Sequence, residues 1–143
     1  MSEYITKNFT MDELTNSDTA KRLGLNNIPN EIETEALIRL AKEVLQPIRD
    51  AWRSPIIVKS GFRSEAVNKA VGGSKTSQHM KGEAADITVG SKEKNKRLFN
   101  LIKKMMDTGQ IQVGQLIDEY NYSWVHVSLV RQNKPNNMVL HLK

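Results

Sequence analysis

Apolar residues fall at three- and four-residue steps from Ile32 through Leu37, Leu40, Ala41, Val44, Leu45 and Ile48. That period marks one buried helical stripe. Asn30 stands where an N-cap belongs, and Glu33 occupies the capping-box position. Pro47 lies inside the pattern and predicts a kink or an early end. A second helical face carries Leu98, Leu101, Ile102 and Met105, with Ser91 as its cap and Gly109 as its stop. Thr10 or Asp12 can cap a short helix through Leu14, ahead of the polar run "TNSDTA", and "SEAVNKAV" reads as another short helix stopped by Gly72 and Gly73.

The period then changes. "PIIVKS", "AADITV", "VGQLIDEY" and "SWVHVSLV" are β-branched or alternating runs, which predict strands. The last two are separated by the short region around Asn121 and Tyr122 and predict a hairpin. The tail, "RQNKPNNMVLHLK", predicts an edge strand. Helices lead and strands and helices mix afterwards, which gives an α+β class: a small, mostly antiparallel sheet packed with helices. The 143 residues suit a single domain over 1–143.

Composition narrows the chemistry. The chain has no cysteine, so thiolate metal sites are excluded and any metal must sit on His, Asp or Glu. A net charge of +5 favours an anionic partner or is simply a solvated lysine surface. Its densest run, "SKEKNKRLFNLIKK", also has a helical apolar period, and aromatics suited to stacking bases are few, so no nucleic-acid partner is expected. No apolar run approaches the roughly 18 residues of a membrane span. The leading "MSEYITKNFTMDEL" lacks the charged-then-apolar pattern of a signal peptide, so synthesis in the cytoplasm is expected, with another route to any target outside.

Two of the strand-like runs carry unexpected polar residues: Asp86 in "AADITV" and His126 in "SWVHVSLV". Alternation puts Trp124, His126 and Ser128 on one face and Val125, Val127 and Leu129 on the other. If the valine face is core, His126 looks into a site or solvent. His79 precedes Asp86 by seven positions, in a loop with Ser77 and Gly82. Two imidazoles and a carboxylate are a ligand set suited to Zn²⁺, although the spacing is unlike the one-turn spacing of HExxH. The remaining histidine, His141, reads as structural or exposed.

Two separated motifs sharpen this picture. "SGFRSEAVNKAVGGSKTSQHMKGEAADITV" contains Ser77, His79, Gly82, Ala84 and Asp86 in the order SxHxxGxAxD, and "LIDEYNYSWVHVS" closes with Trp124-x-His126. Together they resemble the M15 peptidases, zinc D-alanyl-D-alanine carboxypeptidases and L-alanyl-D-glutamate endopeptidases that cut peptidoglycan stem peptides. The likeness is greatest to the small branch found in phages and their hosts, and "NFTMDELTNSDTAKRLGLNN" and "VLQPIRDAW" also fit it. The resemblance implies one Zn²⁺ per chain on His79, Asp86 and His126. It implies that Arg63 helps hold the substrate, its planar fork matching a carboxylate or a developing oxyanion. Ser77 and Gln78 are candidates for binding substrate or orienting a ligand. It further implies a monomer acting on the bacterial cell wall after release, in a phage or prophage setting.

The general base departs from the wider family pattern. Many members carry an acid three positions before the last histidine, where this chain has Ser123. Asp118 and Glu119 remain. A two- or four-residue hairpin loop pairs Glu119 with Trp124 and puts it on the His126 face; a three-residue loop pairs Asp118 with His126 instead. The small branch has "QLI-x-E" before "WVHVS", which aligns its glutamate with Glu119 and favours that residue. Without an acid in place, the alternative function is an inactive metal-holding module that binds cell wall.

Overall fold

The structure is a computed structural model that describes residues 3–143; Met1 and Ser2, the start of the leading segment, lie outside the described residues. Two short helices come first, α1 (Met11–Thr15) and α2 (Asp18–Leu23). Thr10 caps α1 through the Glu13 amide, and Ser17 caps α2 through the Ala20 amide. The run "TNSDTA" therefore starts a helix that its polarity had hidden.

α3 (Glu31–Leu40) begins with the expected capping box. The Asn30 side chain accepts from the Glu33 amide, and the Glu33 carboxylate accepts from the Asn30 amide, each at 2.8 Å. Pro47 neither breaks nor shortens the stripe. The chain widens into a π turn (Ala41–Leu45) and continues as α4 (Gln46–Trp52), where Pro47 holds an early position. A residue there needs no donor for the turn before it, and the π turn takes up the mismatch. Ile32 is a correction to the predicted stripe, being 77% exposed. It lies five residues before Leu37, about 140° round the helix at 100° per residue. Ala36 takes the buried place instead.

The strands are β1 (Ile57–Ser60), β2 (Ala84–Thr88), β3 (Gln115–Glu119), β4 (Trp124–Ser128) and β5 (Met138–Leu142), in sheet order β1-β2-β4-β3-β5. All neighbours are antiparallel except β3 and β5, which run parallel, with β5 on the expected edge. Between strands lie α5 (Glu65–Ala70) and the long α6 (Lys92–Asp107), capped by Ser91. One face of the sheet, with Ala85, Ile87, Leu116, Val125 and Val127, packs against the α3–α4 stripe and against Leu98, Phe99 and Ile102 of α6. Leu101, expected on that α6 face, is only half buried. With that face sealed largely by apolar side chains, Asp86 of β2, Glu119 of β3 and His126 of β4 are left on the other, and Asp118 alone of the acids in these strands turns to the packed side.

Candidate metal centre and its cleft

Asp86 and His126 are direct cross-strand partners at the centres of β2 and β4. His79 reaches them from a single 3-10 turn, Gln78–Lys81. Ser77 starts that turn by accepting from the His79 amide at 3.1 Å. Gly82 ends it at φ +73, where a Cβ would also lie 2.4 Å from the Glu33 carbonyl oxygen. Both the backbone sign and the close approach to α3 require glycine there.

The three residues are buried, and one donor atom from each lies within 4.8 Å of the others. Asp86 Oδ1 is 3.3 Å from His79 Nε2 and 3.0 Å from His126 Nδ1. His79 Nδ1 lies 2.7 Å from the carbonyl oxygen of Gly61. A carbonyl only accepts, so Nδ1 carries the proton. In its neutral form the ring turns a bare Nε2 lone pair toward the Asp86 carboxylate oxygen, and in its protonated form Nε2 donates to that oxygen. In the neutral form two lone pairs at that distance repel, and a shared cation converts the repulsion into coordination. The carbonyl that fixes a ligating ring's tautomer is a usual companion of such sites. The donor set therefore fits a divalent metal such as zinc.

Burial alone would raise the Asp86 pKa. The nearby imidazoles, through the charge of His79 and the hydrogen bond to His126, outweigh burial and hold it well below the usual carboxylate range. Arg63 is pulled below its ordinary value by burial, while Asp86 and Glu119 act in the opposite direction. Its amide donates to the His79 carbonyl at 3.0 Å and its Nη2 to Ser77 Oγ at 3.3 Å, so Arg63, Ser77 and His79 form one unit.

The hairpin loop has even parity. Glu119 pairs with Trp124 and Ile117 with His126, across a loop of residues 120–123. Glu119 consequently shares the His126 face, with Oε2 3.9 Å from His126 Nδ1. Asp118 turns to the other face, where it is buried beside Tyr122 and pairs with His141 of β5. His141 is thus both structural and largely exposed, as expected. The Ser123 hydroxyl donates to the Tyr120 carbonyl within the turn. Gln78 lines the cleft, but its amide nitrogen is spent on the Leu129 carbonyl (3.1 Å) and Glu83 (3.4 Å).

Sequence reasoning missed what holds this hairpin. Tyr120, Asn121 and Tyr122 all have positive φ, at 49°, 55° and 62°. Buried Asn95 of α6 grips the turn, donating to the Tyr122 and Ser123 carbonyls at 2.9 and 3.2 Å and accepting from the Val89 amide at 2.8 Å. A polar residue on the buried side of a helical stripe was the available signal. Trp124 was also passed over as a wall residue. It borders both the main cleft, about 680 Å³, and an adjoining hollow of about 370 Å³, and Tyr120 and Lys59 pack on its ring.

The Peptidase M15 family matches residues 7–128, most of the chain. The chain therefore belongs to the M15 family of zinc metallopeptidases, with His79, Asp86 and His126 as its candidate zinc site. It is also similar to a zinc D-Ala-D-Ala carboxypeptidase of Streptomyces albus G, 41% identical over 87 residues. That alignment takes in 59% of this chain and 32% of the relative, so the chain spans about a third of the relative's length.

Proposed function

We propose that this chain is a zinc-dependent peptidase that hydrolyses peptide bonds in peptidoglycan stem peptides. The observation that carries the reading is the placement of Glu119 on the same face as the three donors, with its carboxylate 3.9 Å from a ligand imidazole. His79, Asp86 and His126 would hold the metal, which would supply Lewis acidity at the site when bound. Glu119 takes the proton of the attacking water and delivers it to the leaving amine. Arg63, already oriented by Ser77 and by the His79 backbone, binds a substrate carboxylate or the oxyanion with its remaining donors. Ser77 acts through Arg63 and the His79 turn, and Gln78 shapes the wall. The phage-type resemblance and the net charge of +5 support action on an anionic cell wall, by a monomer, after release from the cell that made it.

The inactive-module alternative rested on Ser123 in the usual acid position, and Glu119 supplies the missing carboxylate from the neighbouring strand. Incubation of the zinc-loaded protein with purified peptidoglycan, read by mass spectrometry, tests the proposal. New amino termini or released D-alanine are expected. Unchanged peptidoglycan with zinc fully bound would reject hydrolysis.

A further inference from the structure

Part of the wall of the cleft comes from the segment after Ser128, beyond the part of the chain that matches the M15 family. It contributes Arg131, in the loop after β4, and Leu142, on β5. The loop is built around Arg131. Its amide donates to Asn136 Oδ1 at 2.7 Å, and Asn136 Nδ2 donates back to its carbonyl at 2.9 Å. Its Nη2 donates to the Pro135 carbonyl and lies 3.4 Å from Met138 Sδ. These contacts engage Nη2 alone, and Nε is buried without a hydrogen-bond partner. Among the described residues its Nη1 has no acceptor and no carboxylate forms an ion pair with it.

The charges of the cleft sort accordingly. Its two acids, Asp86 and Glu119, belong to the metal and to proton transfer, and its two cations are Arg63, bonded to the His79 turn, and Arg131, in the loop after β4. A cation tied down by neutral partners, with donors left over and no counter-charge, is arranged for an anion that arrives with the ligand.

We propose that Arg131 is a substrate-recognition residue, binding a free carboxylate of the peptide away from the scissile bond. The proposal rests on the peptidase reading and deepens it: this chain selects acidic stem peptides over those whose side carboxylates are amidated. Its test is a set of synthetic stem pentapeptides in which each free carboxylate is replaced in turn by a carboxamide. Hydrolysis is measured with the wild type, Arg131→Gln and Arg131→Lys, and binding to the zinc-loaded Glu119→Gln form is followed by calorimetry.

For one of the replacements, the wild type is expected to lose about tenfold in kcat/KM, mostly through KM, the size of one charge-assisted contact. Arg131→Gln should lose a similar factor on the all-acid peptide and almost nothing more on that amide. Arg131→Lys should recover part of the selectivity. Damage to the loop alone would weaken acid and amide forms equally, so an unchanged acid-to-amide ratio in Arg131→Gln overturns the assignment. So does a wild type indifferent to every replacement. Selective binding that depends on Arg131, with no hydrolysis, would leave the recognition site standing and reject only the peptidase reading. Binding of no peptide at all would reject both.

Discussion

Each face of the central sheet carries a carboxylate beside a histidine, and the two pairs have different surroundings. On the open face, Asp86 meets His126 and His79 together, and Glu119 stands 3.9 Å from His126. On the packed face, Asp118 meets His141 alone, with Tyr122 and Phe99 around them. The first arrangement holds more donors than its own hydrogen bonds can satisfy and opens into a cleft. The second is one satisfied pair that ties the edge strand β5 to β3. Residue type does not separate a site from a brace; convergence and access do. Asp118 and Glu119 are adjacent in the chain, and strand alternation alone sends them to opposite fates.

The contrast can be broken most sharply at those two acids. Glu119→Gln should lower hydrolysis about a hundredfold or more, as expected when a general base is removed, and leave zinc content and Tm near wild type. Asp118→Asn should stay active, with about 1 kcal/mol less stability in urea because its partner His141 is largely exposed. If Asp118→Asn is inactive and Glu119→Gln active, the open and packed faces have been assigned the wrong way round.

Arg63→Lys keeps the charge and loses the fork, so activity should fall by about tenfold, roughly one charge-assisted hydrogen bond, with little change in Tm. Wild-type rates in Arg63→Ala would remove Arg63 from the site.

The faces should also separate by pH. Zinc needs neutral imidazoles, so acid should release it as protons compete for the ligand nitrogens. Asp86 has a depressed pKa in the folded chain. Its contribution to stability is therefore complete above its unfolded value of about 3.9 and is lost as pH falls through the lower folded value. Two acid transitions should appear, metal release first and loss of near-UV circular dichroism only below about pH 4. Simultaneous loss would show that the fold depends on the metal.

Much of this was legible in the chain. The α3–α4 stripe, the four expected strands and the edge position of β5 follow from period, and the valine face of β4 pointed His126 outward. Hairpin parity left two answers open, because a loop of residues 120–123 with three left-handed residues has no glycine to announce it. Ile32 misled because an apolar residue at the start of a helix can be five positions out of phase. The convergence of His79, Asp86 and His126 was carried by motif resemblance, since donors 40 positions apart meet only through strand pairing. Arg131 left no sequence signal, because its place in the cleft wall depends on the loop held by Asn136 and the Pro135 carbonyl.

The central claim is that the open-face residues hold zinc, and elemental analysis of purified protein tests it most directly. The wild type and His141→Ala should each carry close to one zinc per chain, and His126→Ala should lose most of it. Full zinc in His126→Ala, or none in the wild type, would contradict the account.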